Sequence, residues 1–173
     1  MTLALNTTTA LTAVNIKTDP VTIRTGSGNN ANQEFHLQIS GTWAGTISIL
    51  RKIRNINASQ PNLLVHSGAA NAAALTFVGT GIVADELIGM WVRNDTDVSM
   101  GPITDNSTTV ITATLAGGTD DDFDVGDKCS LWEVVDTYTA NASVVGTEGA
   151  DASEYMAIMS AYTSGTARVV FSQ

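Results

Sequence analysis

The sequence has few of the features that mark catalytic, metal-binding or membrane proteins. Its 173 residues include one cysteine, Cys129, and two histidines, His36 and His66. A single cysteine excludes an internal disulfide, and the chain lacks the Cys and His spacing of a zinc site. No run of about 18 apolar residues exists, so no helical membrane span is expected. Segments rich in Leu, Glu and Lys, which favour helices, are also missing.

Basic residues are scarce as well. The chain has eight Lys and Arg against 17 Asp and Glu, which gives a formal net charge of −9. Because a nucleic-acid interface needs clustered Lys and Arg, nucleic acid is not an expected partner. Most of the negative charge lies in residues 74–132, where ten acidic and two basic residues give a net charge of −8. A like-charged segment stays solvated, whereas a near-neutral one can pack against a partner, so we place a domain boundary at each end of this segment.

The residues that are abundant favour strands. Hydrophobic residues make up 43% of the chain, which is enough for a core, and Thr, Ser, Asn and Gly are frequent. Residues 35–39 and 46–49 alternate apolar and polar side chains on either side of a segment from Gly41 to Gly45. Such alternation places the apolar side chains on one face of a sheet. We predict a hairpin with a corner at this segment and with Trp43 as a core anchor.

The end of the chain repeats this arrangement. In residues 155–171 an alternating strand is followed by an aromatic residue, a Gly-Thr step and a second strand. We predict that the two hairpins form the inner walls of an antiparallel β-sandwich, jelly-roll or immunoglobulin-like. The all-β fold is completed by an inserted small β-barrel or meander of SH3-like size. The sandwich comprises residues 21–73 and 133–173, the acidic insertion comprises residues 74–132, and residues 1–20 form an N-terminal arm.

Two charged segments are candidates for binding. Arg51, Lys52 and Arg54 form the one dense basic cluster, which is either a solvated strand end or a contact patch for an acidic partner surface. Residues 120–127 contain five aspartates. Clustered carboxylates are what Ca²⁺ requires, but the spacing departs from that of an EF-hand. We therefore predict a solvated acidic loop, without a metal or a cofactor.

Nothing in the sequence indicates catalysis. His36 falls on the polar face of its predicted strand, and His66 precedes a Ser-Gly turn. A Ser-rich chain always supplies the residue types of a Ser-His-Asp triad, so their presence has no weight. Cys129 has no motif around it and is predicted to be a core thiol. We expect no catalytic residues and no enzymatic activity.

Three segments resemble virion proteins of tailed bacteriophages. The closing segment, Ser160-Ala-Tyr-Thr-Ser-Gly-Thr-Ala-Arg-Val-Val-Phe171, looks like the C-terminal strand pair common in these proteins, and residues 39–51 resemble the matching strand. Residues 77–127 are similar to a module found repeatedly in phage structural proteins. The chain departs from the pattern after the first hairpin, where Asn55-Ile-Asn-Ala replaces a frequent Asp-Gly-Gly.

This resemblance implies a non-enzymatic structural component of the virion, assembled in the host cytoplasm. We expect a homo-oligomeric capsid decoration or cement protein that docks on the major capsid protein, or on other virion proteins, through its sandwich and N-terminal arm. Neither a membrane nor a nucleic acid is an expected partner. A tail or baseplate accessory protein is the alternative within the virion. A carbohydrate-binding β-sandwich module, with Trp43, Trp91 and Tyr162 as stacking rings, is the alternative from another class.

Overall fold

The fold is all-β and antiparallel, which confirms the predicted class. The computed structural model of the chain describes residues 7–23, 33–53, 63–79, 81–148 and 153–173. Within these ranges the chain forms eleven strands and no helix. Accordingly, these ranges contain no helix of the length and apolar character that crossing a membrane requires.

The chain divides into two compact units. The first comprises residues 1–51 and 135–173, and the second comprises residues 52–134. The sequence placed the corresponding boundaries at residues 73/74 and 132/133, so the structure assigns residues 52–73 to the second unit. The physical reason is strand pairing, because β4 (Leu64–Val65) pairs with the start of β9 (Lys128–Tyr138). Leu64 is also buried in the core of the second unit.

Two strands of 20 residues form the centre of the first unit. They are β3 (Gln33–Lys52) and β11 (Ser153–Ser172). They pair antiparallel along nearly their whole length, from Leu37 opposite Phe171 to Arg51 opposite Tyr155. The two predicted hairpins are therefore wrong. Each is one continuous strand, and the two segments pair with each other.

Short strands flank this central pair. β1 (Thr7–Leu11) and β2 (Val21–Ile23) pair with opposite ends of β11, and β10 (Ala142–Glu148) pairs with the first residues of β3. Between β1 and β2, the Thr18 hydroxyl accepts a hydrogen bond of 3.1 Å from the backbone N–H of Ala157. The described part of the predicted N-terminal arm is thus an edge of this sheet, because its short apolar pieces find their partners on β11.

The central pair bends at the predicted corner without ending there. The backbone φ is 122° at Gly41 and 89° at Gly165, and the β3–β11 register shifts twice between Met159 and Ser164. Glycines with positive φ and bulges let paired strands bend sharply. The sheet therefore curls, and its two halves share one core. The buried residues of β3 in this core are Phe35, Leu37, Ile39, Ile47 and Ile49.

Trp43 lies at the corner and is only half-buried, so it is a weaker core anchor than predicted. Its ring packs against the edge of the core, and its Nε1–H donates a hydrogen bond of 2.9 Å to Asn141 Oδ1. We expect Trp43→Ala to lower the free energy of unfolding by about 1–2 kcal/mol, less than the loss at a fully buried aromatic residue. Urea denaturation measures this loss, with Tyr162→Ala at the same corner as the control. A loss above about 4 kcal/mol would contradict the peripheral position of the indole.

The second unit is an antiparallel arrangement of short strands with its own core. Its strand order is β9, β6 (Trp91–Asn94), β7 (Met100–Asn106), β8 (Val110–Ala113) and β5 (Ala74–Thr76). Cys129 is fully buried in this core, as predicted, and burial raises the pKa of its thiol. Because the thiolate is the reactive form, this cysteine is inert.

Candidate functional site

The most highly charged feature of the second unit is the acidic loop, residues 120–127, which forms the second part of the connection between β8 and β9. Asp120, Asp122 and Asp124 each place a carboxylate oxygen within 4.8 Å of the other two. Hard cations such as Ca²⁺ take oxygen ligands, and in the described ranges these three carboxylates are the group whose oxygens lie close enough together to share one. Sequence reasoning found this loop, and its metal-free state stays a prediction.

A buried amide holds the acidic loop in place. Asn94, at the end of β6, is 0% exposed. Its Nδ2 donates hydrogen bonds to Asp127 Oδ2 at 2.7 Å and to the backbone oxygen of Asp122 at 3.2 Å. Asp127 is itself buried, and the same Oδ2 accepts a bond of 2.7 Å from the N–H of Asp124. The buried side chains of Asn94 and Asp127 thus hold the backbone of the acidic loop through hydrogen bonds to Asp122 and Asp124.

Asn94 also fixes the turn that follows β6. Its Oδ1 accepts the backbone N–H of Thr96 at 3.0 Å, and its Nδ2 donates to Asp97 Oδ2 at 2.9 Å. Sequence reasoning missed Asn94, because an Asn-Asp step after a strand usually marks an ordinary turn. Nothing in the sequence connects it to residues about thirty positions further on.

The carboxylates of the acidic loop repel one another. Desolvation raises the pKa of Asp122, and the neighbouring carboxylates of Asp120 and Asp124 raise it further. Desolvation likewise raises the pKa of Asp97, with Asp127 as the next cause. Each raised pKa means that the folded chain takes up a proton more readily than the unfolded chain. The acidic loop therefore opposes folding at neutral pH and opposes it less as the pH falls.

We expect Asp122→Asn to stabilise the protein at pH 7. The substitution removes one of the repelling charges and keeps the size of the side chain. The gain should shrink in high salt, which screens exposed charges, and should vanish in acid, where the aspartates are protonated in both states. Urea midpoints at two pH values measure it, with Asp105→Asn, an exposed acid outside the loop, as the matched control. A destabilised Asp122→Asn protein at pH 7 would contradict the repulsion.

The predicted basic contact patch has internal partners. The Arg51 guanidinium lies 3.9 Å from Glu148 Oε1 in the first unit. In the second unit, Lys52 Nζ lies 5.9 Å from the centre of the Trp132 ring, within cation–π range. Arg54 falls outside the described residues. A role of Arg51, Lys52 and Arg54 in partner contact stays a prediction.

The histidines have no catalytic arrangement in the described ranges. His66 is buried; its Nδ1 accepts the N–H of Thr76 at 3.1 Å, and its Nε2 donates to the oxygen of Ala69 at 2.9 Å. Its ring stacks on Phe123 with 5.9 Å between the ring centres. Both ring nitrogens are therefore used to hold the backbone, which is a structural role. His36 is exposed on β3.

The three rings proposed for sugar stacking differ in exposure. Trp91 is 7% exposed, which leaves no ring face for a ligand, whereas Tyr162 is 37% exposed and Trp43 is half-buried. Tyr162 and Trp43 both lie at the corner of the curled sheet. They supply aromatic surface there, but not the three-ring platform that the sequence suggested.

Comparison with protein families, with curated proteins and with solved structures gives no match for this chain. Its function is therefore argued from its own residues. The features that bear on its function are the curled sheet of the first unit, the acidic loop of the second unit and the unequal net charge of the two units.

Proposed function

We propose that the protein is a non-enzymatic structural component of a tailed-phage virion, namely a capsid decoration or cement protein. The observation that supports this proposal is the charge of the two compact units. The first unit has six acidic and four basic residues, whereas the second has eleven acidic and four basic residues. A near-neutral surface can be covered by a partner at a low electrostatic cost, while a strongly acidic one favours solvent. The first unit therefore docks on the shell, and the acidic unit stays in contact with solvent.

The docking element in this proposal is the curled sheet together with the N-terminal strand that pairs with it. In the finer architecture that we propose, this sheet is the β-sandwich and residues 52–134 are the inserted small barrel. A cement protein adds buried interface between capsid subunits and so opposes internal pressure. Many copies of a modest interface give high total affinity, and a closed homo-oligomer suits the symmetry of a shell.

Quantitative mass spectrometry of purified phage particles tests the proposal. We expect the protein in a copy number comparable with that of the major capsid protein. A copy number that matches a single tail ring would instead support the tail or baseplate alternative. Absence of the protein from particles that contain their capsid and tail proteins would contradict both.

Binding to isolated shells separates a capsid role from mere presence in the particle. Full-length protein should co-sediment with empty capsids and should raise their resistance to heat. Removal of residues 1–6, which precede β1, should leave the sheet folded and weaken the association if the N-terminal arm contributes. Stable shells that bind no protein would contradict the decoration role.

A further inference from the structure

The first unit contains a pocket beside β10. Its volume is about 200 Å³. Aromatic and aliphatic side chains line it together with the polar side chains of Asp136 and Thr147, and its aromatic rings are those of Phe35, Tyr138 and Tyr155. The Phe35 ring packs directly against β10 at Gly146. Only glycine permits this contact, because a Cβ at this position would lie 2.4 Å from the ring. The pocket thus has the size of one side chain, with aromatic walls.

The pocket carries one uncompensated negative charge. The exposed carboxylate of Asp136 accepts a hydrogen bond of 2.6 Å from the Tyr138 hydroxyl and one of 2.8 Å from the N–H of Thr137. Among the described residues no cation contacts Asp136, whereas Glu148 nearby is paired with Arg51. Desolvation and this carboxylate raise the pKa of Tyr138 to about 12, so the phenol stays protonated and donates its hydrogen bond to the carboxylate. A carboxylate beside aromatic rings favours a cation on an apolar stem.

β10 also offers backbone hydrogen bonds. In the described part of the chain it pairs with β3 on one side only. From Ala142 to Thr147 it has no charged residue and no proline, the usual devices that block an edge strand. Val144 is 36% exposed and Val145 is 53% exposed. An extended peptide can add to such an edge, with affinity from the main chain and specificity from side-chain pockets.

We propose that β10 and the adjacent pocket bind an extended segment of a partner protein and that the pocket takes one lysine or arginine side chain of that segment. The alkyl stem packs between the rings of Phe35 and Tyr138, and the charged head pairs with Asp136. A second copy of this chain is a poorer occupant, because its own β10 brings no basic side chain. The proposal goes beyond the virion role and holds whether or not the protein belongs to a virion.

Peptide titration of the isotope-labelled full chain tests the proposal by amide NMR. The probe is the capped pentapeptide Thr-Val-Lys-Val-Thr, compared with the same peptide carrying norleucine or Glu in place of Lys. We expect saturable shifts at millimolar or lower peptide, confined to β10 and residues 135–138. The norleucine and Glu peptides should bind about tenfold more weakly, since they lack the ion pair.

A charge reversal supplies the matched control. Asp136→Lys should weaken binding of the Lys peptide about tenfold and make the Glu peptide the better ligand. Asp19→Lys, at an exposed acid elsewhere in the first unit, should leave the Lys peptide the better ligand.

Equal binding of the three peptides to the unchanged protein, or no shift with the Lys peptide, would overturn the proposal. Shifts at residues 120–127 that persist in Asp136→Lys would assign the binding to general attraction by the acidic loop. A β10-mediated dimer that the Lys peptide fails to displace would identify the occupant as a second copy. None of these outcomes depends on whether the protein is found in particles.

Discussion

Gly165→Ala should abolish most of the stability of the first unit. The backbone φ at this residue is 89°, a region that residues with a Cβ rarely adopt. A Cβ there would lie 2.1 Å from the backbone oxygen of Thr42 on the paired strand, so the two strands must separate at the corner. We expect a loss of roughly 4 kcal/mol or more in the free energy of unfolding, because strain and a backbone clash act together.

Gly89→Ala is the matched control for this substitution. Gly89 has the same φ of 89°, but nothing lies within 4 Å of the position of its Cβ. This variant should lose only about 1–2 kcal/mol, the cost of a positive φ alone. Urea denaturation of both variants, followed by tryptophan fluorescence and by circular dichroism, measures the difference. Equal losses at the two positions would show that the corner tolerates a side chain.

Asn94→Ala should be the most damaging polar substitution in the second unit. It removes a buried amide that serves Asp127, Asp97 and the backbone of the acidic loop. The buried carboxylate of Asp127 then loses a donor, and the N–H of Thr96 loses its acceptor. We expect a loss of roughly 3–5 kcal/mol, because buried groups left without partners cost more than a hydrogen bond contributes.

Two variants show whether the Asn94 amide acts through its hydrogen bonds. Asn141→Ala removes an exposed amide of the first unit and should lose less than about 1 kcal/mol. Asn94→Asp keeps the shape but places a third carboxylate against those of Asp127 and Asp97. It should be strongly destabilised at pH 7 and should recover as the pH falls, because the added carboxyl becomes protonated. A pH-independent loss would point to packing instead.

The alternating patterns predicted which side chains form the core of the first unit, but not how their strands connect. Phe35, Leu37 and Ile39 are buried as predicted, and so are Ile47 and Ile49. The sequence predicts a turn at the corner between them, because Gly-rich segments usually end strands. Whether glycines end a strand or bend it depends on the neighbouring strand. Here that strand is β11, which is more than a hundred residues away along the chain.

The sequence predicts less of the candidate sites than of the core, because their residues come from separated segments of the chain. The acidic loop is visible in the sequence because its charges are contiguous. Its support is not visible, since Asn94 belongs to another strand. The pocket beside β10 was missed entirely, because its walls come from separated segments that contain Phe35, Tyr138 and Tyr155. No local pattern brings such residues together.

The long pairing of β3 with β11 also has a kinetic consequence. β3 ends at Lys52 and β11 begins at Ser153, so about 100 residues must be spanned before the first unit can close, and such non-local pairing is slow. If residues 52–134 fold first, most of that span becomes compact and the entropy of closing the loop falls. During synthesis the apolar face of β3 stays uncovered until β11 has been made. We therefore expect nascent chains that stop before β11 to contain a folded second unit and an aggregation-prone first segment.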